Sequence, residues 1–201
     1  MALSRAQIAG NAMMQLAISE AMVGLADRAK ARVEKAEDDG LVNDALLDDC
    51  LVVAAITRDA AAARAILPRV LAAAEKAAPA GSTAAAEQLK AIRALAALVE
   101  PINYNSANTD QVLLWSMAKL QAADYAAALK GLTFLVSQDA RPGLDTSAAF
   151  AYARLGDVNV QLGQHGEARK HYERALEIFK NGDPDLPLIV ETKAALAKLG
   201  S

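Results

Sequence analysis

Few residues in this chain are of a type that could do chemistry, and they lie far apart. His165 and His171 are the two histidines, six positions apart, whereas helical metal pairs use an i,i+4 face. Cys50 is the one cysteine, so no intrachain disulfide is available and a reducing compartment fits best. Its neighbours Leu51, Val52 and Val53 predict a small buried side chain, not a nucleophile. Carboxylates gather at Glu37, Asp38, Asp39, Asp44, Asp48 and Asp49. They read as a solvated helix–turn–helix junction or as an oxygen-ligand cation site, but the D-x-D-x-D-G spacing of a calcium loop is absent. The phosphate-cradling patterns G-x-x-x-x-G-K-[ST] and G-x-G-x-x-G do not occur. Nothing predicts a catalytic, cofactor or metal site, and the expectation is that the chain is not an enzyme.

The elements that would position these residues are helical. Hydrophobic residues make up 54% of the 201 and aromatics only 4%, so alanine and leucine supply the apolar mass. That mixture favours closely packed helices over strands and predicts an all-α fold. The length suits one domain or one solenoid of helical hairpins. A net charge of −3 without a basic stripe argues against nucleic acid. No apolar run approaches the roughly 18 residues of a membrane span. Ala6–Ser19 lacks charge, but Gln7, Gly10, Asn11, Gln15 and Ser19 dilute it, so it does not read as an export signal. The expected location is cytoplasmic.

Ser4 and Gln7 form an S-x-x-Q capping box that opens a helix predicted to continue to Asp38-Asp39-Gly40, roughly 35 residues in all. Its first half is apolar nearly all round, with Ile8, Met13, Met14, Leu16, Ile18, Met22, Val23 and Leu25. Such a helix needs cover. It packs on its own hairpins, or self-associates as a homodimer through Met14, Ile18, Met22 and Leu25, or offers a methionine-rich site to foreign helices. Asn43 caps a second helix through Ile56, and Thr57-Arg58-Asp59 turns into a further helix that Pro68 should kink. Pro79-Ala80-Gly81 is a break, and Ser82 caps a helix from Thr83 to about Val99. Residues 101–108 read as a connecting loop, or as a binding loop rich in asparagine. That loop separates an N-terminal helical region, 1–100, from residues 109–201 within what reads as one continuous domain.

From Ala149 to Lys180, two apolar-periodic arms flank Gly163–Gly166. Tyr152, Leu155, Gly156, Ala168, Tyr172 and Ala175 stand there in an order that resembles one tetratricopeptide repeat (TPR), W-x2-L-G-x2-Y, then A-x3-F, then P. Asn159 and His165 replace the family's aromatic residues, and the closing proline arrives at Pro184. A looser copy carries Trp115, Ser116, Tyr125, Ala128, Leu132 and Leu135. Ala128 and Ala168 are 40 residues apart, against the usual spacing of about 34, and the excess falls on Asp139-Ala140-Arg141-Pro142-Gly143. Residues 44–77 read as a degenerate copy, with Leu47, Leu51, Ala54, Ala63, Leu67 and Val70 in the apolar slots. A last helix from Pro187 to about Leu199 should cap the array, with Leu188, Ile189, Ala195, Leu196 and Leu199 inward and Glu191, Lys193 and Lys198 in water.

The resemblance implies a TPR-like helical-hairpin solenoid, with a long N-terminal helix and a C-terminal capping helix, that binds another protein or peptide without catalysis. It places Leu113, Met117, Leu120 and Gln121 from one hairpin in a concave, mostly apolar groove. Phe150, Ala153, Asp157, Val160 and Gln161 come from the next. TPRs that clamp a terminal carboxylate use lysine, arginine and asparagine there, and this lining lacks them. The alternative is a structural homo-oligomer assembled through the N-terminal helix.

Overall fold

The alanine- and leucine-rich segments become helices wherever the chain is described. The computed structural model describes residues 4–77, 109–137 and 146–200, and every regular element among them is helical. The expected features at Pro79–Gly81, Thr83–Val99, 101–108 and Asp139–Gly143 lie outside the described residues. The helices are α1 (Arg5–Met22), α2 (Ala26–Asp38), α3 (Leu47–Ile56), α4 (Ala60–Ala77), α5 (Thr109–Gln121), α6 (Tyr125–Ser137), α7 (Thr146–Gln161), α8 (His165–Ile178) and α9 (Pro187–Lys198). A 3-10 turn, Asp44–Leu46, precedes α3, and its Ala45 N–H donates to the Asn43 side chain at 2.9 Å.

The single N-terminal helix expected from the sequence is two helices. Gly24 takes φ +89°, a left-handed conformation that ends α1. The Val23 carbonyl accepts a hydrogen bond from Leu188 N at 3.1 Å, and a Cβ on Gly24 would meet Pro187 Cβ at 2.6 Å. The break is therefore built around the start of α9. The capping box forms as read: Ser4 N–H donates to Gln7 Oε1 at 2.8 Å and Gln7 N–H to Ser4 Oγ at 3.2 Å.

The chain divides into two units, Met1–Ala21 with Ala26–Trp115, and Met22–Leu25 with Ser116–Ser201. In the first, Met14, Ala36, Leu46, Leu47, Cys50, Leu51, Ile66 and Val70 form the core, so α1, α2, α3 and α4 share it. Lys30–Asp59 (3.0 Å) and Arg69–Glu37 (2.6 Å) add ion pairs from α2 to the following hairpin. α4 runs through Pro68 without interruption; Pro68 and Arg64, whose carbonyl loses its donor, are both exposed, so water can serve that carbonyl.

In the second unit Ala128, Leu132, Ala151, Leu155 and Val158 pack α6 against α7. α8 packs on α7, and α9 covers both α8 and α7. α9 buries Leu188, Ile189 and Thr192, while Glu191, Lys193 and Lys198 stay exposed.

Three hairpins share one turn. Between α3 and α4, α5 and α6, and α7 and α8, the link is three residues with its middle residue at positive φ: Arg58 (+58°), Ala123 (+58°) and Gly163 (+71°). In each, the last link residue reaches back five positions: Asp59 N to Ala54 O (2.8 Å), Asp124 N to Lys119 O (2.9 Å) and Gln164 N to Asn159 O (2.8 Å). These bonds satisfy carbonyls that a helix end leaves unpaired. Asp59 and Asp124 then cap the next helix, accepting from Ala62 N (3.0 Å) and Ala127 N (3.3 Å).

Candidate functional site

The best-formed hairpin, α7–α8, is built on one crossing. A Cβ on Gly156 would run into the Tyr172 ring. Ala168 and Ala175 on α8 are buried, as are Leu155 and Tyr172. The small residues let the helices approach, and the ring fills the space beside them. Tyr172 OH donates to Asp157 Oδ1 at 2.9 Å, and Arg154 Nη1 donates to Asp157 Oδ2 at 2.6 Å. Arg154 Nη2 also reaches Glu191 on α9 at 3.6 Å, and its guanidinium lies 5.1 Å from the Phe150 ring centre. Burial pushes the Tyr172 phenol well above its ordinary value, and the neighbouring Asp157 charge adds to this. The tyrosine therefore stays protonated and holds Asp157 in place.

The groove positions fare differently from one another. Leu113 is 4% exposed, and Met117, Phe150 and Ala153 are each 2% exposed. Leu120, Asp157 and Val160 are half-buried, and Gln121 and Gln161 are exposed. Leu120 packs on the α6–α7 core. Asp157 is committed to Tyr172 and Arg154. The apolar positions Leu113, Met117, Phe150 and Ala153 are thus covered, and the positions that meet water most are Gln121 and Gln161, at the C-terminal ends of α5 and α7.

On α1, Met14 is fully buried and Ile18 and Met22 nearly so, at 7% and 5%, while Leu25 is half-buried. The Met14 sulfur accepts from Cys50 Sγ at 3.6 Å. Three of the four positions suggested for self-association thus lie inside a single copy. Large apolar side chains that do face solvent on this helix are Ile8 and Leu16, at 55% and 51%.

The reactive residue types are placed as follows. Cys50 is buried, and desolvation pushes its thiol up to about 12, with Glu37 and Asp49 adding to the effect. His171 stacks on Tyr152 with ring centres 6.0 Å apart, and burial lowers its pKa, so it is mainly neutral at pH 7. Within the acidic group, Glu37 pairs with Arg69, Asp44 with Lys76 and Asp39 with Lys35. No three His, Cys, Asp or Glu side chains among the described residues form a metal-holding group. Among those residues, no helix is long and apolar enough to cross a membrane.

One charged cluster escaped the sequence reading. Glu20, 8% exposed, accepts from Arg32 Nε and Nη2 at 2.8 Å each, and Arg28 Nη2 lies 2.9 Å from its Oε1. Residues this far apart cannot meet along one straight helix. They meet because α2 folds back after Gly24, and that glycine was the only local signal.

Compared with family models, with curated proteins and with solved structures, the chain matches none.

Proposed function

We propose that this chain is a non-catalytic protein-interaction scaffold of the tetratricopeptide type, which takes a helix or extended peptide from another protein. The observation that supports this most directly is the recurrence of one hairpin turn at Arg58, Ala123 and Gly163 with the same backbone hydrogen bonds. The interlock of Gly156, Ala168 and Tyr172 supports it further, because it matches the small and aromatic positions of the repeat. A reactive thiol or an acid–base pair would favour catalysis, but Cys50 is buried with a raised pKa and Tyr172 is locked to Asp157.

With Leu113, Met117, Phe150 and Ala153 covered, the partner meets the rim first: Leu120 and Gln121 at the end of α5, Val160 and Gln161 at the end of α7. Gln121 and Gln161 are exposed, so replacing both with glutamate leaves the packing intact. Affinity capture followed by mass spectrometry, run with wild-type protein and this double variant, tests the placement. Loss of a specific partner with unchanged helicity supports this placement. Capture that is unaffected places the binding surface elsewhere.

A further inference from the structure

The link between α8 and α9 carries the one Asn-Gly pair of the chain, Asn181-Gly182. Both residues lie in a turn past the end of α8, and both are exposed. No other described residue bonds to the Asn181 side-chain amide. An asparagine amide carbon is open to attack by the next backbone nitrogen, which lies within reach of a five-membered ring. Glycine obstructs that approach least, because it has no Cβ.

The other described asparagines are held differently. Asn11 and Asn159 lie inside α1 and α7, where the following N–H belongs to the helical ladder. Asn159 is also buried, and its amide donates to the Leu155 carbonyl at 2.7 Å. Asn43 Oδ1 accepts from Ala45 N at 2.9 Å, and Asp44 follows it with a full side chain. Asp39-Gly40 is the aspartate counterpart, but its carboxylate pairs with Lys35 at 2.9 Å, and an anionic oxygen is a poor leaving group.

We infer that Asn181 is a self-modification site, converted without an enzyme to aspartate and isoaspartate. Gly182 N loses its proton to solvent base and attacks Asn181 Cγ. The new N–Cγ bond closes a cyclic imide as the Cγ–Nδ2 bond breaks, and ammonia leaves with a proton from water. Water then adds across one of the two C–N bonds of the ring. Opening at Cγ restores the main chain as aspartate, and opening at the main-chain carbonyl leaves isoaspartate. The sum is amide plus water giving acid plus ammonia.

Gly182 N–H donates to the Phe179 carbonyl at 2.8 Å, so this one bond must open before the nitrogen can attack. A single turn bond at an exposed helix end opens far more often than the core does. Either product sets a carboxylate just beyond the C-terminus of α8, the end where the helix dipole disfavours negative charge. Isoaspartate also lengthens by one carbon the main chain that leads to α9. The inference concerns this link alone and stands independently of the scaffold reading.

Peptide mapping tests it, on the folded full chain incubated for days near neutral pH in heavy-oxygen water, well below its melting temperature. The peptide holding residue 181 should gain one heavy oxygen and yield both acids. It should convert about tenfold or more faster than the peptides holding residues 11, 43 and 159. Ion exchange should resolve the product by one added negative charge. Gly182→Ala should slow conversion by about tenfold with unchanged circular dichroism, since the added Cβ meets Phe179 O at 3.2 Å and needs only a small shift. Asn181→Gln, at an exposed position, cannot close the five-membered ring and should abolish the signal. Conversion at 181 in urea but not in the folded protein overturns the inference, because the Phe179 bond would then protect the site. Aspartate formed without isoaspartate also overturns it, as does a rate that Gly182→Ala leaves unchanged.

Discussion

Ala123 and Gly163 hold the same place in successive hairpin turns, each as the middle residue of a three-residue link at positive φ, +58° and +71°. The backbone asks the same of both, but only glycine adopts that conformation without a Cβ penalty of about 1–2 kcal/mol. Ala123→Gly should therefore stabilise the protein. The gain is reduced by the extra freedom of glycine in the unfolded chain, about 0.4–1 kcal/mol, leaving a net of about 0.5 kcal/mol. Gly163→Ala, the reverse change in the equivalent place, should cost a similar net of about 0.5 kcal/mol. Urea denaturation of both variants measures this, and shifts of the same sign would show that the two turns are not equivalent.

At the α7–α8 crossing, two local rules oppose each other. Glycine inside a helix normally costs about 1 kcal/mol relative to alanine, so Gly156→Ala ought to stabilise α7. The added methyl, however, meets the buried Tyr172 ring, which Asp157 holds through its hydroxyl. Overpacking of this kind costs about 1–3 kcal/mol, and the net effect should be destabilising. Ala168→Leu, at a fully buried position, should lose a similar amount. A melting temperature that stays level or rises in either variant would remove these residues from the crossing.

Local signals in the sequence located most of this architecture. Ser4 and Gln7 marked the start of α1 because a capping box needs only neighbouring residues. Gly156, Ala168 and Tyr172 marked the crossing because a close approach requires small residues opposite large ones. The end of α1 was hidden, since one glycine costs a helix only about 1 kcal/mol and periodicity continues on both sides of it. What sets the break is the start of α9, where Leu188 N–H bonds to Val23. The cover over the expected groove was not legible for a related reason. The resemblance to the repeat put Met117 and Phe150 in that lining, but whether such positions stay open depends on tertiary packing, and both are buried.

Cys50 offers a probe of opening. Its thiol is buried against Met14 and its pKa is pushed up to about 12, so the reactive thiolate is nearly absent near pH 8. A disulfide reagent such as Ellman's should label the folded protein only at the rate at which the α1–α3 core opens. Denaturant should raise that rate in step with loss of helicity. Fast stoichiometric labelling of the native protein would show that the site is accessible after all.

The Glu20–Arg32 pair makes stability depend on acid. The paired hydrogen bonds from Arg32, and to a lesser degree the charges of Arg32 and Arg28, hold the Glu20 carboxyl below its ordinary value of 4.5. Folding therefore favours the ionised form, and the unfolded chain binds that proton more readily. The contribution is complete above pH 4.5 and is lost as pH falls through the lower folded value. Hydrogen bonds to charged groups are worth about 1.5–3 kcal/mol, but Arg28 is largely exposed and adds little to this. Glu20→Gln keeps the shape and removes the charge, so it should cost about 1–2 kcal/mol near pH 7. Other carboxylates held low, Asp59 chiefly by the Ala62 backbone N–H and then by Lys30, and Glu167 by Lys170, titrate in both proteins and cancel in the difference. The gap between wild type and variant, read from denaturation curves, should narrow steadily below pH 4.5. A gap of the same size near pH 3 would mean that shape at position 20, and not its charge, joins α1 to α2.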